Sequence, residues 1–171
     1  MTERWAAFWR WGGLVARLVV GGVWIVAGWL KLPDPAESVR AVRAYDLLPE
    51  AIVPTVGHGL PILEIIIGVM LVAGAGTRVA AAVSFLLQVA FIIGIASAWA
   101  RGLKIDCGCF GGGGASASAS VTDQYPWDIA RDTGLAALSL LLFLFPRTAL
   151  SADRLWTLDP DPDPDHDEEF V

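Results

Sequence analysis

Cysteine is nearly missing from this chain of 171 residues, which holds two, Cys107 and Cys109. Two thiols do not make the usual closed four-ligand zinc site. Histidine is as scarce, and of His58 and His166 only His58 lies where it could join the thiols around a metal. Charge is also sparse, at 18% of residues against 55% hydrophobic, with a mean hydropathy of +0.56. Length alone would permit one or two soluble domains, but this composition argues against them. There is no basic patch or stripe, so nucleic acid is not an expected partner. The net charge of -6 belongs to one end: seven of the 18 acids stand from Asp159 onward, leaving 11 against 12 basic residues. No cleaved signal peptide is expected either. The first apolar stretch is too long for one, and Lys31-Leu32-Pro33 follows it where small residues would mark a cleavage site.

What the chain does have is apolar length. Four segments, at about 12–30, 53–75, 79–100 and 129–145, approach the roughly 20 residues needed to cross a bilayer. Glycines recur along the first two (Gly21, Gly22, Gly28; Gly68, Gly74), and small residues let membrane helices approach closely. The expected fold is all-α, an integral membrane four-helix bundle spanning 12–147, after a short lead over 1–11. Trp29, Trp99 and Trp127 mark one membrane face and Trp5, Trp9 and Trp11 the other, as aromatic belts do. Between the first two spans, Val39, Val42 and Tyr45 recur every three residues among charges, which predicts a short amphipathic helix at the interface or capping the bundle. The Gly-Ala-Ser stretch from Gly111 to Ser120 reads as flexible. The Asp-Pro tail within 148–171 has no apolar area to bury and reads as disordered.

The chemistry concentrates in Ile105-Asp106-Cys107-Gly108-Cys109-Phe110-Gly111, directly after the third span. A disulfide between residues i and i+2 lies at the edge of allowed geometry, and Gly108 supplies backbone freedom there. Gly111 shapes the same loop. A strained disulfide is the more oxidising one, suited to passing its oxidation to another thiol pair. Two other readings stand beside this one. In one the element serves only as a structural turn; in the other its thiolates hold a soft ion such as Cu(I). Counting positive charges does not orient the spans. Thiols that cycle through disulfides belong on the oxidising side of a membrane, so the Cys loop is placed outside and both termini in the cytoplasm.

Inside the spans, Arg17, Glu64 and Gln88 are costly in hydrocarbon and therefore candidates for function. Measured from the Cys side, Glu64 lies roughly 12 Å deep, Gln88 roughly 16 Å and Arg17 roughly 20 Å. Those depths permit one polar cluster with an Arg17–Glu64 ion pair and Arg131 as a competing partner for Glu64; the alternative has Arg17 snorkelling to the cytoplasmic interface and Glu64 protonated against a backbone carbonyl. Such a cluster could be structural, proton-conducting or quinone-facing.

These residues follow an order seen in one family. Gly28-Trp29-Leu30-Lys31-Leu32-Pro33, Val42-Arg43-Ala44-Tyr45-Asp46-Leu47-Leu48-Pro49, Leu60-Pro61-Ile62-Leu63-Glu64, Arg101 through Gly111, and Arg131 together resemble the methylamine-utilisation MauE group of DoxX-like membrane proteins, from about Arg17 to Phe145. The resemblance implies a four-helix protein of the bacterial plasma membrane, linked to extracytoplasmic thiol–disulfide chemistry. It also implies a thioredoxin-like partner, as in maturation of methylamine dehydrogenase. Cys107 and Cys109 would then be the catalytic pair, and a quinone is one acceptor this reading allows. The bundle-plus-cysteines arrangement is also similar to disulfide-forming oxidoreductases related to vitamin K epoxide reductase. Those carry Cys-x-x-Cys and further cysteines; this chain carries one tighter pair. The alternatives are a non-enzymatic anchor or assembly factor for a redox enzyme, and a small metal- or solute-handling membrane protein.

Overall fold

The computed structural model describes residues 2–106, 114–115 and 121–146. Among them five helices carry the fold: α1 (Thr2–Lys31), α2 (Pro35–Ala44), α3 (Val53–Ala73), α4 (Thr77–Ala100) and α5 (Val121–Leu144). A two-residue antiparallel ladder joins β1 (Ile105–Asp106) to β2 (Gly114–Ala115). Among the described residues the fold is all-α apart from that ladder. Cys107, Gly108, Cys109 and Gly111 lie outside the described residues, as do the acidic tail and most of the stretch expected to be flexible.

Three helical segments among the described residues are long and apolar enough to cross a bilayer: Trp11–Lys31 within α1, all of α3 and all of α4. Their boundaries follow from local chemistry. Proline stands in the first turn of α3, where its missing N–H costs nothing. At the other end Gly74 adopts a left-handed conformation (φ 70°), and its N–H with that of Ala75 returns to the Met70 carbonyl at 2.9 and 3.0 Å. That closure ends α3 and turns the chain into α4 within three residues. The fourth expected segment, 129–145, is the distal part of α5, which begins eight residues earlier at Val121. Asp128, Arg131 and Asp132 interrupt its first half, so α5 is not among the three apolar helices.

Polarity is inverted relative to a water-soluble fold. Leu18, Val26, Ile66, Val69, Leu86 and Ile93 face outward, while Arg17, Glu64, Gln88 and Asp132 are buried. Such a surface suits hydrocarbon rather than water. Each long helix packs against two others: α1 on α3 and α5, and α4 on α3 and α5.

The α1–α3 contact is set by backbone approach. A Cβ at Gly21 would lie 2.8 Å from the Gly68 carbonyl oxygen, and one at Gly68 would lie 2.7 Å from the Gly21 oxygen. One seven-residue step further, a Cβ at Gly28 would meet the Pro61 oxygen at 2.7 Å. The helices therefore run antiparallel with a period near 3.5 residues per turn, and side chains are excluded from the seam.

Helix α2 begins with Asp34, whose carboxylate accepts the Glu37 N–H at 3.1 Å, and with Pro35 in the first turn. It docks on α3 where Val39 lies over Gly57 and touches both strands of the ladder. The end of the molecule that carries Lys31, α2 and the start of α5 is thus also the end from which the Cys segment departs.

Candidate functional site

Two arrangements at this end carry chemistry: an anchor for the segment entering the Cys pair, and a buried charged layer beneath it. The anchor is Tyr125, in the second turn of α5 and 1% exposed. Its hydroxyl meets the carbonyls of Leu103 at 2.8 Å and Ile105 at 2.9 Å and accepts the Ile105 N–H at 3.0 Å. Ile105 is itself buried against Ile95, Ala98 and Tyr125. Asp106 then pairs with Gly114 across the ladder. Asp106 and Gly114, the residues on either side of 107–113, are therefore paired, and the residues that lead into that stretch are fixed to the helices by a phenol. Sequence reasoning passed over Tyr125, although it is one of only two tyrosines in the chain.

Beneath the anchor, Lys31 donates to Glu64 Oε1 at 2.6 Å, and both side chains are buried. Helical side chains lean toward the N-terminus of their own helix. In an antiparallel pair, Lys31 therefore reaches down from the end of α1 while Glu64 reaches up from α3. From α5, Arg131 lies 2.9 Å from Asp132 Oδ1 and 3.1 Å from Asp128 Oδ1. Glu64, Gln88, Arg131 and Asp132 line one cavity of about 20 Å³, with Trp24 and Phe91. Glu64 Oε2 and Asp132 Oδ2 are buried without a hydrogen-bond partner. The cavity has room for about one water molecule.

The structure thus brings Glu64, Gln88 and Arg131 together and puts Arg17 elsewhere. The guanidinium of Arg17, 0% exposed, donates to the Leu71 carbonyl at 2.8 Å and the Val72 carbonyl at 3.1 Å. It lies flat against Gly74, where a Cβ would come within 2.5 Å of Nη2. A cation on the last carbonyls of α3 satisfies acceptors that have no intrahelical donor. The expected Arg17–Glu64 pair does not form: Arg17 and Lys31 are fourteen residues apart on α1, about 21 Å, and it is Lys31 that meets Glu64. The sequence signal for Lys31 is its place at the last turn of α1, at the end of an apolar run.

A third polar feature ties the helices together. Trp24 Nε1 donates to Ser84 Oγ at 2.7 Å, and Ser84 Oγ lies 2.9 Å from Ser139 Oγ, linking α1, α4 and α5. His58, the imidazole considered for metal binding, is exposed and has Nδ1 2.6 Å from the Pro54 carbonyl oxygen. Among the described residues no group of His, Cys, Asp and Glu is arranged to hold a metal ion.

The family model described as methylamine utilisation protein MauE matches residues 9–145, which takes in both the anchor and the charged layer. No curated protein and no solved structure matches the chain.

Proposed function

The chain belongs to the MauE family, and we propose that it is a multi-pass plasma-membrane protein supporting extracytoplasmic thiol–disulfide exchange through Cys107 and Cys109. In this reading α5 crosses the membrane as the fourth member of a bundle over 12–147, and α2 is an amphipathic cap at the interface. The lead, 1–11, and the acidic tail, 148–171, lie in the cytoplasm, and Gly108 and Gly111 shape the Cys loop outside. The partner is a thioredoxin-like protein, as in methylamine dehydrogenase maturation. Exchange moves two electrons and two protons between the thiols of one protein and the disulfide of the other, and the S–S bond changes hands. The observation that carries this reading is the anchor. A buried tyrosine with three polar contacts holds the residue two positions before the first thiol, which a reactive pair needs for presentation at a fixed place.

Thiol trapping in intact cells with a membrane-impermeant reagent tests it. Labelling that appears only after reduction is the expected result. Thiols that label without reduction defeat the disulfide reading, and labelling only after lysis defeats the outside placement. Cys107→Ser is expected to abolish exchange. A second reading, an anchor or assembly factor without exchange, is favoured by the structural engagement of Arg17 on the end of α3; under it Cys107→Ser leaves function intact.

A further inference from the structure

We propose that the charged layer binds one proton, held by Asp132 as a neutral acid with the hydrogen on Oδ2. Among the described residues the layer sets two cations, Lys31 and Arg131, against three carboxylates, Glu64, Asp128 and Asp132. Helix α4 brings Gln88 to this level and no charge; its Arg78 lies over Phe143, eleven residues further along α5. One carboxylate is therefore in excess. Carboxylates that share a site do not both ionise cheaply, and a buried ion without a counter-charge neutralises instead.

The hydrogen bonds single out the residue and the oxygen. Lys31 holds Glu64 at 2.6 Å, which leaves Asp128 and Asp132 to share Arg131. Asp128 is nearer the surface, its side chain 12% exposed against 4% for Asp132, and stays the ion. A guanidinium facing a carboxylate usually forks across both oxygens. Arg43 engages both on the exposed side, with Nε 3.0 Å from each oxygen of Glu50. Arg131 does not: Nε at 3.0 Å and Nη2 at 2.9 Å both fall on Asp132 Oδ1. Oδ2 is buried and has no hydrogen-bond partner. That is the pattern of a carboxylic acid, whose carbonyl oxygen takes the donors while its other oxygen carries the hydrogen.

A metal ion does not fit in the proton's place, since the cavity is about 20 Å³ and Arg131 lines it beside the acids. Asp132 stands seven residues from Tyr125 on the same helix, about 10 Å along its axis. The proton is therefore stored below the segment that leads into the thiols. Thiol–disulfide exchange starts from the thiolate, so thiols give up and take back protons in its course. A buried acid that passes a single proton suits that chemistry. This use rests on the thiol–disulfide reading; the site itself does not.

Infrared spectroscopy of the full chain in lipid nanodiscs near neutral pH tests the site, because a protonated carboxyl absorbs above the amide bands and a carboxylate does not. Wild type is expected to show such a band, shifted in heavy water, and shifted by carbon-13 aspartate but not by carbon-13 glutamate. Asp132→Asn is expected to lose it. Asp128→Asn removes the excess charge and leaves Arg131 to Asp132 alone, so it too is expected to lose the band, with Asp132 still in place. Thermal melting establishes that each variant is folded, and isotope labelling of the unmutated chain decides should a variant not fold. Absence of the band, a band that moves with labelled glutamate, or an undiminished band in either folded variant overturns the proposal. A Cys107→Ser/Cys109→Ser variant is expected to keep the band. That result supports the site even where thiol trapping defeats the redox reading, so the two fail separately.

Discussion

Replacing Lys31 with methionine removes the ammonium 2.6 Å from Glu64 Oε1 and keeps most of the side-chain volume. Glu64 is 0% exposed, and its Oε2 already lacks a partner. The variant therefore leaves a buried carboxylate without its ion-pair partner. Breaking a buried pair from one side costs about 3–5 kcal/mol, because the surviving charge stays desolvated. That corresponds to roughly a 150- to 5,000-fold loss in the folding equilibrium. Glu64→Leu is expected to cost a similar amount by stranding the ammonium, although Lys31 stands at the end of its helix and is 7% exposed, so its stem has a shorter way out to water. The Lys31→Met/Glu64→Leu double variant leaves no charge behind and is expected to lie near wild type or above it in stability. Reversible unfolding in mixed micelles, titrated with denaturing detergent, reads all four corners of this cycle. A double-variant cost equal to the sum of the single costs within about 0.5 kcal/mol would refute the reasoning, since it would mean the two groups do not feel each other.

Three further outcomes are expected. Gly74→Ala adds the strain of a left-handed alanine, about 1–2 kcal/mol, and pushes a methyl into the Arg17 guanidinium. Gly76→Ala (φ 58°) adds strain but meets only the flexible end of Met70, so in the same unfolding titration Gly74→Ala is the more destabilising of the two. Tyr125→Phe keeps the ring and deletes the hydroxyl contacts to Leu103 and Ile105; amide exchange at Ile105 is expected to accelerate about tenfold or more, and an unchanged rate would mean that the phenol does not hold the segment. On the exposed side, the Arg43 guanidinium hydrogen-bonds to Glu50 and holds its carboxyl below the ordinary value of 4.5. A depressed folded value gives stability that is present above the unfolded value and lost as pH falls through the folded one. Carbon-13 titration of Glu50 should therefore show a lowered midpoint that returns toward 4.5 in Arg43→Ala.

How much of this was legible in the sequence depends on whether one dimension or three were needed. Hydropathy is a one-dimensional property, and it located α3 and α4 to within two residues at each end (53–75 and 79–100 against Val53–Ala73 and Thr77–Ala100). In α5 the same property marks only the apolar part, from 129, because Asp128, Arg131 and Asp132 carry charge in the first half of the helix. In the fold they are helical, with Arg131 bridging the two acids. Depth along the bilayer is also one-dimensional, and it suggested that Arg17, Glu64 and Gln88 share a layer. What it omits is the direction of the side chain. Arg17 leans toward its own N-terminus, away from Glu64, and so reaches the end of α3; Lys31 leans the same way and so reaches Glu64. The serines at 84 and 139 left no trace in hydropathy, since a hydroxyl in an apolar run barely alters it, yet they join α4 to α5.

The buried charged groups therefore form two tiers that answer to different demands. The lower tier, Arg17 on the last carbonyls of α3, closes a turn whose left-handed glycines have already ended the helix. It needs no ligand or reaction to account for it. The upper tier is different, because its groups exceed what helix closure requires. Glu64 and Asp132 each keep an oxygen without a partner, and Lys31 faces both an anion and an apolar cavity that a donor alone does not fill. Unmet hydrogen-bonding capacity in low dielectric is costly to retain. It is concentrated at the one end of the fold where a buried tyrosine holds the segment leading into the two thiols. Lys31 links these features, since it is shared by the ion pair and the cavity wall. Lys31→Met combined with Glu64→Leu should therefore separate stability from function: the fold recovers, while exchange through the two thiols slows. A purely structural upper tier would leave exchange unmoved in the same double variant.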